Sequence, residues 1–244
     1  MKRMFSLLFL AALAACPALA DVTVISDDFN DGVRNRALWR MFNKYGGRFV
    51  EKEGRLFAYS GAVEPPSSFH FVSWNVKPVV DLIAGDILEM EALVRLPPVA
   101  LETNPNARVY VNMNLLVPST NKYRGVMFQF LRNHSGRTFT ETIFKANSSL
   151  LEASTPLPSL SNAFVMKMRY NTANGKLSFW SRATADLTWT RLKVMDLNQA
   201  WGFPLGRALT LEADIQFGTS DTRVDQARVV YIDDFKLTRF RPAE

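Results

Sequence analysis

The sequence predicts an all-β protein over residues 21–244, built as a two-sheet antiparallel sandwich. Three observations carry the prediction. Apolar and polar residues alternate in short segments along the chain. Gly, Pro, Asn and Ser clusters separate those segments. Helical periodicity is scarce, with Asp81 to Ala84 and Leu197 to Ala200 read as single turns at most. Side chains of a strand point alternately to its two faces, so strict alternation marks a half-buried strand.

The clearest segments follow that rule. Leu88, Met90, Ala92 and Val94 oppose Glu89, Glu91 and Arg95. Val109, Val111, Met113 and Leu115 oppose Arg108, Tyr110, Asn112 and Asn114. Phe164, Met166, Met168 and Tyr170 oppose Lys167 and Arg169. Leu211, Ala213, Ile215 and Phe217 oppose Glu212, Asp214 and Gln216. Turn chemistry lies between segments, at Glu53-Gly54, Ala84-Gly85-Asp86 and Asn174-Gly175, the last a strong hairpin signal. Two long polar and proline-containing stretches, 97–105 and 148–162, read as loops that either carry function or cross between sheets.

The first twenty residues read as an export signal. Lys2 and Arg3 precede an apolar run from Phe5 to Ala15, and Ala18-Leu19-Ala20 forms a cleavage site before Asp21. Leu13-Ala14-Ala15-Cys16 resembles a lipobox, so lipidation of Cys16 competes with simple cleavage, and Pro17 weighs against it. The expected location is the periplasm or the medium, with an outer-membrane lipoprotein as the lesser alternative. The apolar run is too short to span a bilayer, and no transmembrane segment is expected.

Cys16 is the one cysteine, so the mature chain has no disulfide or thiolate site and depends on its core. Lys and Arg number 29 against 23 Asp and Glu, a net charge of +6. That excess serves solubility or a preference for acidic polymers. No long Lys/Arg cluster is present, which argues against nucleic-acid binding.

Several landmarks occur in a recognisable order. The chain runs through Asp27-Asp28-Phe29-Asn30-Asp31-Gly32 and Trp39, then Glu53-Gly54-Arg55-Leu56 and Gly85-Asp86-Ile87-Leu88-Glu89-Met90-Glu91. Asn174-Gly175-Lys176-Leu177 precedes Trp180, and Val230-Tyr231-Ile232-Asp233-Asp234-Phe235-Lys236-Leu237 closes the series. This pattern resembles the concanavalin A-like lectin/glucanase superfamily, in particular its bacterial laminin-G-like members. The resemblance implies a jelly-roll sandwich whose first and last strands lie side by side. It also implies carbohydrate bound on the concave sheet or in loops at one edge.

The candidate glycan contacts are the polar strand faces: Glu89 and Glu91, Arg108, Asn112 and Asn114, and Glu212, Asp214 and Gln216. The glycan is a polysaccharide, of acidic type if the net charge speaks to it. Trp74, Trp180, Trp189 and Trp201 are candidate aromatic platforms, with the core as the default place for each. A glycoside hydrolase is the first alternative. Retaining hydrolysis needs two carboxyl groups about 5–5.5 Å apart, and Glu212-Ala213-Asp214-Ile215-Gln216 supplies two and then an amide. A polysaccharide lyase would need a base such as Tyr110, or Tyr123 near Arg124; no lyase motif surrounds His70 or His134. An envelope structural or adhesin-like protein is the last alternative. Structural Ca²⁺ is the one metal expected. It takes six to eight oxygen ligands, and Asp28 and Asp233 would meet where the terminal strands pair, unless these acids merely cap turns.

Overall fold

The computed structural model describes residues 19–44, 48–59, 70–96, 108–117, 124–133, 135, 137–146, 149–153, 157–159, 163–197, 209–219 and 230–242. The expected export segment through Ala18, with Cys16, lies outside the described residues. So do Tyr123, His134, Trp201, all of the 97–105 loop and residues 148, 154–156 and 160–162 of the 148–162 stretch.

Seventeen strands are described; Leu197 alone is helical, and Asn198 to Ala200 of the expected second turn lie outside the described residues. The strands are β1 (Leu19–Asp27), β2 (Trp39–Lys44), β3 (Arg48–Lys52), β4 (Arg55–Tyr59), β5 (His70–Val76), β6 (Val80–Leu82), β7 (Ile87–Arg95), β8 (Arg108–Val117) and β9 (Arg124–Asn133). There follow β10 (Thr138–Ala146), β11 (Ser149–Ala153), β12 (Leu157–Ser159), β13 (Ala163–Asn171), β14 (Lys176–Ala183), β15 (Thr190–Asp196), β16 (Leu209–Thr219) and β17 (Val230–Pro242).

Every pairing is antiparallel, and the strands form two sheets. The eight-stranded sheet runs β15-β14-β13-β7-β17-β4-β3, with β1 also on β17. The nine-stranded sheet runs β11-β10-β9-β8-β16-β5-β2, with β12 on β10 and β6 on β16. The terminal strands do lie side by side. β17 pairs with β7 along one edge, and on the other with β4 at Val230 to Ile232 and β1 from Phe235 onward. The changeover falls at a bulge between Asp233 and Lys236, where Asp234 takes φ 48°. β1 begins at Leu19, so cleavage after Ala20 would remove its first two pairs, to Pro242 and Arg241, and leave the rest.

Asp81 to Ala84 is not a helical turn: its first residues belong to β6, which pairs with β16. At Glu53-Gly54 both residues take positive φ, 54° and 68°, as a two-residue hairpin turn requires. Asn174-Gly175 joins β13 to β14 as expected, with Gly175 at φ 66° and Asn174 Oδ1 accepting the Lys176 N–H. Asp86, fully buried before β7, is held by a two-pronged bond from Arg241 and by the Ile83 N–H. Burial pushes its carboxyl up, but those donors outweigh it and hold it below the ordinary carboxylate value.

The core lies between the sheets and is made by the alternation. In β13, Phe164, Met166, Met168 and Tyr170 are buried while their neighbours are half-exposed. At one end Trp39 packs on Phe29, Trp74 and Phe235, with ring centroids 5.0–6.3 Å apart in this group, and Trp74 meets Phe49. Toward the other, Phe128 meets Phe179 and Phe130 meets Phe164. Each fully buried large side chain contributes about 1.5–3 kcal/mol relative to exposure. Among the described residues no helix is long and apolar enough to cross a membrane.

Candidate functional site

Inward Val, Met, Leu, Ile and Phe residues force the polar partners of β8 and β16 onto the outer face of the nine-stranded sheet. Cross-strand register lines these up in two rows. One row is Phe42, Ser73, Gln216, Asn112, Gln129 and Glu141, on β2, β5, β16, β8, β9 and β10. The next is Arg40, Asn75, Asp214, Asn114, Met127 and Ile143 on the same strands. Five strand spacings make each row about 24 Å long.

Side chains in the rows hydrogen-bond across strands. Gln129 Nε2 donates to Asn112 Oδ1 at 2.9 Å, and Asn112 Nδ2 donates to Gln216 Oε1 at 3.1 Å. Asn114 Nδ2 donates to Asp214 Oδ1, and Asn75 Nδ2 donates to Asp214 Oδ2 at 3.3 Å. Asn112, Asn114, Gln129, Asp214 and Ser73 are all buried. Two amide oxygens there, Asn114 Oδ1 and Gln129 Oε1, are buried and accept no hydrogen bond. An unsatisfied buried acceptor costs about 1–3 kcal/mol, so both sit at a cost to the fold.

Asp214 carries the electrostatics of the face. Burial pushes its carboxyl up to about 7; the Asn114 amide works against that and the nearby Glu212 carboxylate adds to it. Glu141 is also raised by burial, with Arg108 opposing. Tyr110 lies beyond the first row, its ring against Gly218: a Cβ built there would meet Tyr110 Cζ at 2.2 Å. Glycine is thus the residue that lets the ring lie on the sheet. Burial raises the Tyr110 hydroxyl, the opposite of what a lyase base needs.

The structure brings together six of the eight residues expected to contact glycan. Arg108, Asn112, Asn114, Glu212, Asp214 and Gln216 share this face, with Arg108 exposed at its end and Glu212 half-buried. Glu89 and Glu91 do not join them. They lie on β7 in the other sheet, on its outer face, apart from the β8 and β16 residues. There Lys167 Nζ stands 2.9 Å from Glu91 and 3.8 Å from Glu89, and Arg169 also pairs with Glu89. Ser73, Asn75, Gln129, Glu141 and Phe42 were missed. The alternation Met127-Gln129-Leu131 could have found Gln129, but nothing local says that β9 and β5 flank β8 and β16.

Of the tryptophans, Trp74 is core. Trp180 and Trp189 lie in the eight-stranded sheet's region, with Arg191 over Trp180 and Lys167 over Trp189. His70 opens β5, and its side chain is outside the described set.

The carboxylates at the terminal-strand end line a cavity of about 460 Å³ with Ser26, Asp27, Asp28, Asp31, Asn35 and Asp234 on its wall. Many of their oxygens are engaged. Asp27 accepts from the Phe29 N–H and from Trp39 Nε1 at 2.7 Å, Asp28 from the Asn30 N–H, and Asp31 from the Val33 N–H. Asp233 accepts the Asp234 N–H and stands 3.9 Å from Arg55. Burial is the first cause raising Asp233, and the Asp234 and Asp28 charges add to it. Behind them Glu51 is buried with neither carboxylate oxygen hydrogen-bonded by geometry; burial first, then the adjacent Asp31 and Asp27, push it to about 7. Among the described residues no three acid or imidazole groups stand close enough to hold an ion by themselves.

No protein-family model and no curated protein matches the chain. Solved structures do match in fold. The CBM2 module of the evolved Dit of Lactobacillus casei BL23 phage J-1 is similar at 12% identity and TM-score 0.59, covering 93% of this chain and 98% of that one. Basic winged bean lectin with Tn-antigen is similar at 13% identity and TM-score 0.56, covering 88% and 98%. A putative beta-glucanase from Mycobacterium abscessus is similar at 14% identity and TM-score 0.56, covering 88% and 100%. The shared architecture is the two-sheet antiparallel jelly-roll sandwich.

Proposed function

We propose that this protein is an exported, lectin-like carbohydrate-binding protein, non-catalytic, that takes a polysaccharide across the outer face of the nine-stranded sheet. That face is our reading of the expected concave surface. The observation that carries it is the floor of cross-bonded polar side chains, in which Asn112, Gln129 and Asp214 are buried and Gln216 and Asn75 are half-exposed. A sugar hydroxyl donates one hydrogen bond and accepts two, so it fits a floor of alternating amide donors and acceptors. Phe42, 53% exposed at the β2 end of the row, offers an apolar surface for a sugar ring. Similarity of fold to lectins and carbohydrate-binding modules is compatible with this but does not decide it.

The test is size-exclusion chromatography of residues 21–244 after incubation with neutral and acidic polysaccharides. Co-elution with an unshortened polymer is the expected result. A shortened polymer would instead favour the hydrolase reading, for which the specific support is Asp214, a carboxylic acid raised to about 7 beside Glu212. Failure with every polymer would leave the envelope structural role.

Calcium belongs to the same proposal. Asp28 and Asp233 would hold it with backbone carbonyls of the adjoining turns, drawing on the excess of acid around the cavity. Bound there, the ion would tie the β1 end to the β17 bulge. Millimolar Ca²⁺ is then expected to raise the thermal midpoint over an EGTA control, since a ligand of the native state stabilises by about 2.7 kcal/mol at a hundredfold excess over its Kd. The gain should vanish in Asp28→Asn and Asp233→Asn. No shift in the parent protein would mean that these acids serve as turn caps and the Arg55 pair alone. Export predicts an N-terminus at Asp21 in mass spectra of the mature protein, against a lipidated Cys16.

A further inference from the structure

The two outer faces differ in charge. On β3, β4, β17 and β7, the outward residues of the eight-stranded sheet include Arg48, Lys52, Arg55 and Arg95, all exposed. They surround three half-buried rings, Phe57, Tyr59 and Tyr231. The rings form one strip: Phe57 lies 6.5 Å from Tyr59 and 6.1 Å from Tyr231. Each carries a cation on its face. Arg48 stands 5.3 Å from the Tyr59 centroid and Lys52 4.8 Å from that of Phe57. Arg55 and Arg95 lie 4.7 and 5.4 Å from that of Tyr231, and Arg95 Nη1 donates to its hydroxyl at 3.0 Å. Asp233 beside Arg55 and Glu53 beside Lys52 are the nearby acids; among the described residues no carboxylate pairs with Arg48 or Arg95.

We propose that this cation-capped aromatic strip is a second binding surface, for an acidic glycan whose carboxylates or sulfates engage Arg48, Lys52, Arg55 and Arg95. The inference stands apart from the amide row, which lies on the opposite face and uses none of these residues. A guanidinium lying over a ring keeps its in-plane N–H groups free to point sideways, and that fork matches a carboxylate or sulfate edge. The ring holds the cation in place, so less side-chain freedom is lost on binding. A nucleic-acid base would need a bare ring to stack on, and here the faces are taken. β3 is the sheet's outer strand, and Arg48 and Lys52 also guard that edge against pairing. Edge protection does not require Arg55 and Arg95, which lie one and three strands further in and converge on Tyr231.

The experiment measures equilibrium binding of residues 21–244 to polygalacturonate, with dextran, oligothymidylate and phosphatidylserine vesicles as comparators. The parent protein should bind polygalacturonate in dilute buffer and lose most of that binding at about 0.5 M salt, where charges are screened within a few ångströms. Arg48→Gln/Lys52→Gln/Arg55→Gln/Arg95→Gln should weaken it about tenfold or more, as removal of clustered charge predicts. Arg55→Gln/Arg95→Gln, away from the edge, should weaken it in the same direction with circular dichroism unchanged. The proposal is overturned if the parent does not bind, if both variants bind as the parent does, or if oligothymidylate or vesicles are held as tightly as polygalacturonate. Whether neutral glycans bind the amide row is read separately and leaves this outcome untouched.

Discussion

Trp39→Ala is expected to destabilise the fold by about 3–5 kcal/mol, the usual range for removing a buried tryptophan. Trp39 is 1% exposed and stands at the meeting point of four segments. It contacts Phe29 after β1, Trp74 of β5 and Phe235 of β17, with the shortest centroid distance, 5.0 Å, to Phe235. Its Nε1 also donates to Asp27 Oδ2 at 2.7 Å. Alanine would open a cavity between the sheets and leave that carboxylate oxygen without its donor, so two penalties add. Trp39→Phe keeps most of the ring and loses the donor, and should cost clearly less. Urea denaturation measures both. A loss under about 1 kcal/mol for the alanine variant would mean that this aromatic group does not join the sheets as described.

The second large effect is one of pH. Asp214 is raised from an ordinary value of 3.8 to about 7, with burial as the first cause. Between those values the native state binds a proton that the unfolded chain has released. Stability therefore falls as pH rises through this window, and the contribution is complete below about pH 4 and lost above about pH 7. The interval from 3.8 to about 7 corresponds to about 4 kcal/mol as an upper figure. Asp214→Asn is neutral throughout and keeps an oxygen to accept from Asn114. Measured against it in urea melts from pH 4 to pH 8, the parent should lose stability progressively, and the variant should be the more stable of the two at pH 8. Parallel curves would place Asp214 in contact with water. Taking the difference between the two proteins removes the part due to other titrating groups, Glu51 among them.

Much of the fold was legible because alternation is a local signal. The inward sets of β7, β8, β13 and β16 were readable residue by residue, and so were the hairpin at Asn174-Gly175 and the turn at Glu53-Gly54. The pairing of terminal strands came from a resemblance in the order of landmarks. What local pattern could not give was the assignment of strands to sheets. β7 and β8 are consecutive, and both present polar faces, yet one joins β17 and the other β16. Glu89 and Glu91 were grouped with Asn112 and Asn114 for that reason, and the crossover separates them. The same gap hid Gln129 and Asn75, which enter the site through pairings that a single strand does not encode. The bulge at Asp234 was invisible too. Its positive φ marks where β17 changes neighbours from β4 to β1, and nothing in Ile232-Asp233-Asp234-Phe235 demands it. Asp81, read as part of a turn, is held in β6 by pairing with Thr210, some 129 residues away.

The central claim is that the amide row of the nine-stranded sheet is a glycan-binding floor. Affinity electrophoresis tests it most directly, comparing the parent with Asn112→Ala/Gln216→Ala in gels cast with neutral β-glucan, xylan, mannan or galactan. The expected result is that at least one polymer retards the parent and that the double substitution relieves this by about tenfold in affinity, the effect of about 1.4 kcal/mol, while circular dichroism stays unchanged. Equal migration of the two proteins in every gel would contradict the claim.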